Sequence, residues 1–301
     1  MYKLIAIDID GTLLKNDKTI SSETFTSIQN ARNKGVKIVL ATGRPIQGLE
    51  KYSKQLGLTT NQDYGVSCSG ALIHRLGTRE VLFRSTLTYE DFQLLYNFSK
   101  RLGITLNALT DSLILTPSLN LTTQIESFLS NIPMKIVDFD TLPKTTIINR
   151  IVYINENEAF INHLHNVIKK INLSYTPVSE KNGNDNLSLS KDKLSKKIHE
   201  NFTVLKPSSN TLEILSKDVN KGSSISFLAE ILGIKQEEVI AIGDSGNDID
   251  MIKYAGLGIA MGNAFPEIKE ASDYITYTNE EDGVAHVIDK FILGEGEKEV
   301  I

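Results

Sequence analysis

The chain has one cysteine, Cys68, so an internal disulfide is excluded and a reducing compartment is expected. It has no apolar run of the roughly 18 residues that a membrane-crossing helix needs. Positive charge is also short: 32 Lys and Arg stand against 37 Asp and Glu, a formal net charge of -5. Nothing electrostatic therefore draws the surface as a whole toward nucleic acid or anionic lipid, and any anionic ligand must be met by local cations. Two motifs are missing as well. Without a G-x-x-x-x-G-K-[ST] loop a P-loop nucleotidase is not expected, and without a G-x-S-x-G elbow neither is that kind of serine nucleophile. The start, M-Y-K-L-I-A-I-D-I-D, meets acids too soon for a signal peptide, so a cytoplasmic location is expected.

What is present fits a soluble globular protein. The 301 residues suffice for one large or two ordinary domains, and 41% hydrophobic with 23% charged content is the usual balance. Residues 4–7, L-I-A-I, are apolar without alternation, as a strand covered on both faces of a parallel sheet should be. The run stops at Asp8 and Asp10, then Gly11 permits a tight turn. Ligands of open α/β sheets bind outside the carboxyl ends of the strands. Two carboxylates there repel each other unless a cation or a shared proton relieves them. The alternative is that both acids only cap the turn.

The same rhythm continues. A helix is expected over 22–34 and a second buried strand over 36–41, ending in T-G-R-P. Thr42 stands at that strand end, Gly43 turns the chain, and Pro45 opens a helix to about 56. Thr42 and Arg44 offer a hydroxyl and a guanidinium for phosphoryl oxygens, or else a turn residue and a surface ion pair. Residues 64–84 read as a short strand, a glycine turn and a hairpin around 76–77, with His74 a satisfied or solvent-facing side chain.

From 85 to 216 the pattern changes. Helices over 89–101, 119–130 and 156–171 mix with strands near 104–110, 113–115, 135–139, 150–154, 202–206 and 211–216, and the polar stretch 180–195 reads as a surface loop. Such grouping implies an α+β unit, 85–216, inserted between core parts 1–84 and 217–301. The α/β rhythm returns with a helix starting at Lys221, a position where a lysine opposes the helix dipole and so points to an anion nearby. A strand over 239–242 then ends in G-D-S-G-N-D, placing Asp244 at the edge and Asp248 one helical turn on if a helix starts near Gly246. The expected fold is α/β, a Rossmann-like doubly wound parallel sheet core carrying the inserted unit.

The strand ends thus collect Asp8, Asp10, Thr42 and Asp244, with Lys221 and Asn247 at neighbouring helix starts. Oxygen-only ligands without His or Cys favour Mg²⁺ over Zn²⁺. Carboxylate-bound Mg²⁺ beside a lysine and a hydroxyl is how proteins neutralise a transferring phosphoryl group, and a carboxylate can form an aspartyl-phosphate.

Taken in order, D-I-D-G-T-L-L, A-T-G-R, the Lys221-Gly222 helix start and G-D-S-G-N-D resemble the four motifs of the haloacid dehalogenase-like (HAD) superfamily. A-M-G-N-A and E-D-G-V-A near the end are similar to its Cof-type sugar-phosphatase branch. The resemblance implies a nucleophile, Asp8, and an acid/base, Asp10; acting as an acid needs a raised pKa, to which the Asp8 carboxylate contributes while Mg²⁺ works the other way. It implies phosphoryl binding by Thr42 and Lys221, with Gly11, Gly43, Arg44 and Asn247 lining phosphate or substrate. Mg²⁺ would be held by Asp8, the Asp10 carbonyl and Asp244, supported by Asp248. The insertion resembles the branch's α/β cap, which closes over the site and carries substrate selection. Ser69 departs from the branch's usual Asn-Gly-Ala, so specificity is not carried over.

The expected activity is a phosphatase acting on a small phosphorylated metabolite, sugar phosphates first and pyridoxal phosphate or nucleotide-like monoesters behind. A phosphomutase or a non-catalytic binding protein of the same fold are the alternatives. No nucleic-acid or membrane partner is expected, and the chain should be a monomer or small homo-oligomer.

Overall fold

The computed structural model describes residues 1–169 and 193–294. The chain forms two compact units, one of Met1–Ser85, Glu126–Pro133 and Val219–Ile301, the other of Thr86–Ile125 and Met134–Asp218. The grouping of Glu126–Pro133 with the flanking parts is not legible in the order of the sequence.

The first unit opens with β1 (Leu4–Ile7), α1 (Ser22–Asn33), β2 (Lys37–Ala41), α2 (Ile46–Gln55), β3 (Tyr64–Ser67), β4 (Leu72–Arg75) and β5 (Glu80–Arg84). Then come α3 (Tyr89–Leu102), β6 (Thr105–Leu109), β7 (Ile114–Thr116), α4 (Leu121–Ser130), β8 (Met134–Ile136), β9 (Arg150–Ile154), α5 (Glu158–Lys169), α6 (Lys193–Asn201), β10 (Phe202–Ser208) and β11 (Thr211–Ser216). The closing part is α7 (Lys221–Ile231), β12 (Val239–Gly243), α8 (Ile249–Tyr254), β13 (Leu257–Ala260), α9 (Pro266–Ala271), β14 (Tyr274–Ile275) and α10 (Gly283–Ile288).

The eight strands of the core run in the order β14-β13-β12-β1-β2-β3-β4-β5, parallel as far as β3 and antiparallel in the hairpin after it. Alternate side chains of the central strands enter two separate clusters. Ile5, Ile7, Ile38, Leu40, Ile240 and Ile242 join one, while Leu4, Ala6, Val39, Ala41, Val239 and Ala241 join the other with Ile225 and Leu228 of α7. That is why L-I-A-I is apolar at every position. Each fully buried Ile or Leu contributes about 1.5–3 kcal/mol.

Register sets up the site. Ile7 of β1 pairs with Ile242 on one side and Leu40 on the other, so three strands end level and deliver Asp8, Asp244 and Thr42 to one edge.

The inserted unit is a six-stranded sheet, order β10-β11-β9-β6-β7-β8, antiparallel except between β7 and β8. Its core is built on Phe92, Phe98, Phe139 and Tyr153. Three expectations need correction here. The strand expected at 135–139 is only Met134–Ile136, because the Asp138 carboxylate accepts the Asp140 N-H at 3.0 Å and turns the chain. The helix expected at 156–171 runs Glu158–Lys169, with 170–171 outside the described residues. The expected loop 180–195 lies outside them as far as 192, and from Lys193 the chain is already the helix α6. Polar composition hid that helix: Ile198 is buried while Lys196 and Glu200 pair at 3.7 Å one turn apart. Among the described residues no helix is long and apolar enough to cross a membrane.

Candidate active site

The loop after β1 is tied back to the sheet. The Asp8 N-H donates to the Ile242 carbonyl at 3.0 Å, and Leu13 N-H donates to the Asp8 carbonyl at 3.2 Å. Gly11 lies at φ +78°, and a Cβ there would stand 2.5 Å from Asp244 Oδ2. Both the handedness and the room require glycine. Next to it Thr12 Oγ1 donates to Asp244 Oδ1 at 2.8 Å.

Beyond β12 the chain closes on itself rather than entering a helix at Gly246. The Asp248 N-H donates to the Ser245 carbonyl at 2.9 Å, while Asp248 Oδ2 accepts the N-H groups of Asp244 at 3.1 Å and Ser245 at 2.9 Å. The helix starts at Ile249, so Asp248 stands just ahead of it, its side chain turned to the preceding loop, and does not sit one turn inside it. This corrects the expected start, and the cause is the preference of the buried carboxylate for those free N-H groups.

Lys221 is the first residue of α7 and is fully buried. Asn220 caps that helix, its side chain accepting the Ser223 N-H at 2.8 Å. The Lys221 ammonium donates to Asp8 Oδ1 and to Asp248 Oδ1, both at 2.6 Å. The anion that its place at a helix start called for is therefore this pair of carboxylates.

Asp8, Asp244 and Asp248 each offer an oxygen within 4.8 Å of the others. Three carboxylates against one ammonium leave two negative charges in excess. Burial first, then the charge of Asp248, pushes the Asp8 carboxyl well up despite Lys221. The same causes push Asp244 up to about 7, with Thr12 acting the other way. Without a cation these groups take up protons. A divalent cation balances the excess, and an oxygen-only donor set suits a hard ion. It fits best on Asp8 and Asp244, because both Asp248 oxygens already accept hydrogen bonds from Lys221 and the turn.

Asp10 behaves differently from the expectation. Arg44 forks onto it, Nε to Oδ2 at 2.6 Å and an η nitrogen to Oδ1 at 2.7 Å, and Lys18 Nζ adds a bond to Oδ1 at 2.9 Å. Burial alone would raise the Asp10 carboxyl, but Arg44 and Lys18 outweigh it and hold the carboxyl below its ordinary value. The expected rise from Asp8 is thus corrected: two cations, not the neighbouring carboxylate, govern this group. Arg44, read as a ligand of phosphoryl oxygens, is committed to Asp10.

The remaining expected residues gather at the same edge. Thr42 is buried and its Oγ1 accepts the Arg44 N-H at 3.0 Å across Gly43. Asn247 Nδ2 donates to Ser69 Oγ at 3.3 Å, while its Oδ1 accepts from Ser245 Oγ at 2.8 Å. Ser69 sits at φ 54°, its N-H donating to the Thr42 carbonyl at 3.0 Å. His74 is satisfied by Ser67 Oγ at 2.9 Å. Three participants were not anticipated: Thr12, Lys18, and Asn263, whose Nδ2 donates to the Gly11 carbonyl at 2.8 Å. Asn263 lies in the A-M-G-N-A run, the one signal that marked it.

Residues 5–288 match the family pattern of the haloacid dehalogenase-like hydrolases. The chain belongs to that family. Among HAD-like relatives it is 36% identical to YxeH of Bacillus subtilis, covering 97% of this chain and 99% of that one. It is 29% identical, over 97% and 99% of the two chains, to B. subtilis YwtE, named a 5-amino-6-(5-phospho-D-ribitylamino)uracil phosphatase. A haloacid dehalogenase-like hydrolase from Bacteroides thetaiotaomicron superposes with a TM-score of 0.75 at 29% identity, covering 97% of this chain and 100% of its own. The subclass IIB sugar phosphatase BT4131 shares the fold, with a TM-score of 0.74 at 23% identity over 96% and 98% of the chains. This HAD-like protein is a phosphatase, and hydrolases of its family use a divalent metal.

Proposed function

We propose that this phosphatase is a Mg²⁺-dependent phosphomonoesterase that hydrolyses small phosphorylated metabolites, sugar phosphates first, through an aspartyl-phosphate on Asp8. The observation that carries the reading is the convergence of Asp8, Lys221 and Asp244 at one strand edge, a buried and a half-buried acid and a buried ammonium with charge left for a divalent ion. The substrate of YwtE, by its name, is a phosphate ester on a ribityl chain, which supports an open or cyclic polyol phosphate here.

Asp8 Oδ attacks phosphorus, forming the acyl-phosphate bond as the ester P-O bond breaks. Asp10 gives its proton to the leaving alcohol oxygen and then takes one from the water that attacks the acyl-phosphate, releasing inorganic phosphate and restoring Asp8. Because Arg44 and Lys18 favour its ionised form, Asp10 becomes an acid only when bound substrate loosens that grip. Lys221 holds Asp8 in place and faces the phosphoryl charge, and Thr42 and Asn247 supply a hydroxyl and an amide to its oxygens. Bound Mg²⁺, on Asp8, Asp244 and the Asp10 carbonyl, would neutralise phosphoryl charge and let Asp8 remain ionised.

The test is phosphate release from a panel of phosphorylated metabolites, with Mg²⁺ and with chelator, for the wild type and Asp8→Asn. Turnover by the wild type only when Mg²⁺ is present, and none above background by the variant, is expected. Wild-type rates from a folded Asp8→Asn protein would remove Asp8 as nucleophile.

A further inference from the structure

We infer that Asn263 is a positioning residue for the divalent ion: it braces the loop of Asp8 and Asp10 against Asp244 and so holds the site to the narrow tolerance of Mg²⁺, where Ca²⁺ needs less. The inference rests on the reading of Asp8, Asp244 and the Asp10 carbonyl as the ligands of that ion.

Asn263 lies in the turn after β13, in the A-M-G-N-A run that the four motifs leave unexplained. That turn is fastened at both ends to the strand edge that carries Asp244. The Met261 N-H donates to the Gly243 carbonyl at 3.0 Å and the Phe265 N-H to the Asp244 carbonyl at 3.1 Å, while the Ala264 N-H closes the turn on the Met261 carbonyl at 3.0 Å. From between these anchors Asn263 Nδ2 reaches across to the Gly11 carbonyl at 2.8 Å. Its other end is held too, Oδ1 accepting the Asn279 N-H at 3.0 Å. A carbonyl only accepts and a backbone N-H only donates, so a single orientation of the amide satisfies both.

What this amide grips is the part of the catalytic loop most free to turn. The rest of the loop holds itself, the Leu13 and Leu14 N-H groups donating to the carbonyls of Asp8 at 3.2 Å and Ile9 at 3.0 Å. Between them lies Gly11, at φ +78° and with no side chain to resist rotation. Rotation of the Gly11–Thr12 peptide disturbs a group on either side of it. Before it stands the Asp10 carbonyl; after it comes Thr12, whose hydroxyl donates to Asp244 Oδ1 at 2.8 Å. One amide therefore fixes the spacing between a ligand of the first loop and a ligand of the second. Asn279 anchors the same loop elsewhere, its Nδ2 donating to the Leu14 carbonyl at 2.9 Å and to Asn16 Oδ1 at 3.5 Å. Mg²⁺ demands near-octahedral oxygens at about 2.0–2.1 Å, while Ca²⁺ accepts looser geometry at about 2.3–2.6 Å. A slack loop harms the smaller ion more.

The dissociation constants of Mg²⁺ and of Ca²⁺ test this, taken at pH 8 without substrate from the rise of the urea-unfolding midpoint with ion concentration. Asn263→Ala should weaken Mg²⁺ about tenfold or more and Ca²⁺ by less than about threefold. Asn263 is exposed, so the midpoint in chelator should stay close to that of the wild type. Asn279→Ala keeps the backbone N-H on Asn263 and removes only its own side-chain donor. It should lower the midpoint in chelator and leave the ratio of the two constants near the wild-type ratio. An Mg²⁺ constant unmoved by Asn263→Ala, an equal loss for both ions, or the same change of ratio in Asn279→Ala overturns the assignment. If Mg²⁺ stabilises the wild type and any of these is seen, only Asn263 loses its role. If neither ion stabilises the wild type, the divalent site itself falls, and this inference with it.

Discussion

Stripping the divalent ion should make core stability depend on pH in a direction that the acid cluster dictates. Asp244, raised from 3.8 to about 7, and Asp8, raised as well, are protonated in the ion-free fold at pH values where the unfolded chain has them ionised. A carboxyl raised on folding contributes stability that is complete below about pH 4 and lost as pH rises through the folded value. Bound Mg²⁺ competes with those protons. At pH 5, two below the Asp244 value, protonation of that one group weakens the ion about 100-fold, so the Mg²⁺-induced gain in stability should be about 2 to 3 kcal/mol smaller at pH 5 than at pH 8. His165 tilts the other way between about pH 4 and 6.5, since burial first and then Lys169 and Lys206 push it down to about 4. It belongs to the inserted unit and contributes equally with and without the ion, so it cancels from the difference. Urea unfolding at pH 5 and pH 8, each with Mg²⁺ and with chelator, gives the four free energies. An Mg²⁺ gain equal at the two pH values, or larger at pH 5, would refute the argument that raised carboxyls stand where the ion binds.

Other outcomes follow from the same geometry. Lys221→Met leaves Asp8 and Asp248 buried without their shared ammonium, and breaking such a pair should cost about 3–5 kcal/mol in chelator; a loss under about 1 kcal/mol in urea unfolding would contradict it. Gly11→Ala should displace Asp244 and raise the Mg²⁺ concentration needed for half-maximal activity by about tenfold or more, at a stability cost of about 1–3 kcal/mol for the positive φ. Titrating activity against Mg²⁺ in the wild type and the variant reads it.

Much of this was legible because the central strands are covered on both faces and say so in unbroken apolar runs that stop at Asp8, Thr42 and Asp244. The register then brings all three to one edge, Asp8 opposite Ala41 and Gly243 with Thr42 and Asp244 one residue further on. What could not be read was pairing between side chains far apart in the chain. Arg44 meets Asp10 across 34 residues and Asn263 meets Gly11 across 252, and neither spacing leaves a local pattern. For the same reason the balance of charges on Asp10 is not legible in the sequence, since Arg44, the cation that governs it most, is distant in the chain. The start of α8 was misplaced because Asp248 satisfies backbone donors ahead of the helix, and α6 was missed because one buried Ile198 among charges has too weak a period.

The claim that Asp8 accepts the phosphoryl group is tested most directly by trapping. Borohydride added during turnover reduces an acyl-phosphate, so peptide mass spectrometry should find the Asp8 side chain converted to that of homoserine, with Asp10, Asp244 and Asp248 unchanged. An intact Asp8 under steady hydrolysis, or reduction at any other carboxylate, would contradict the account.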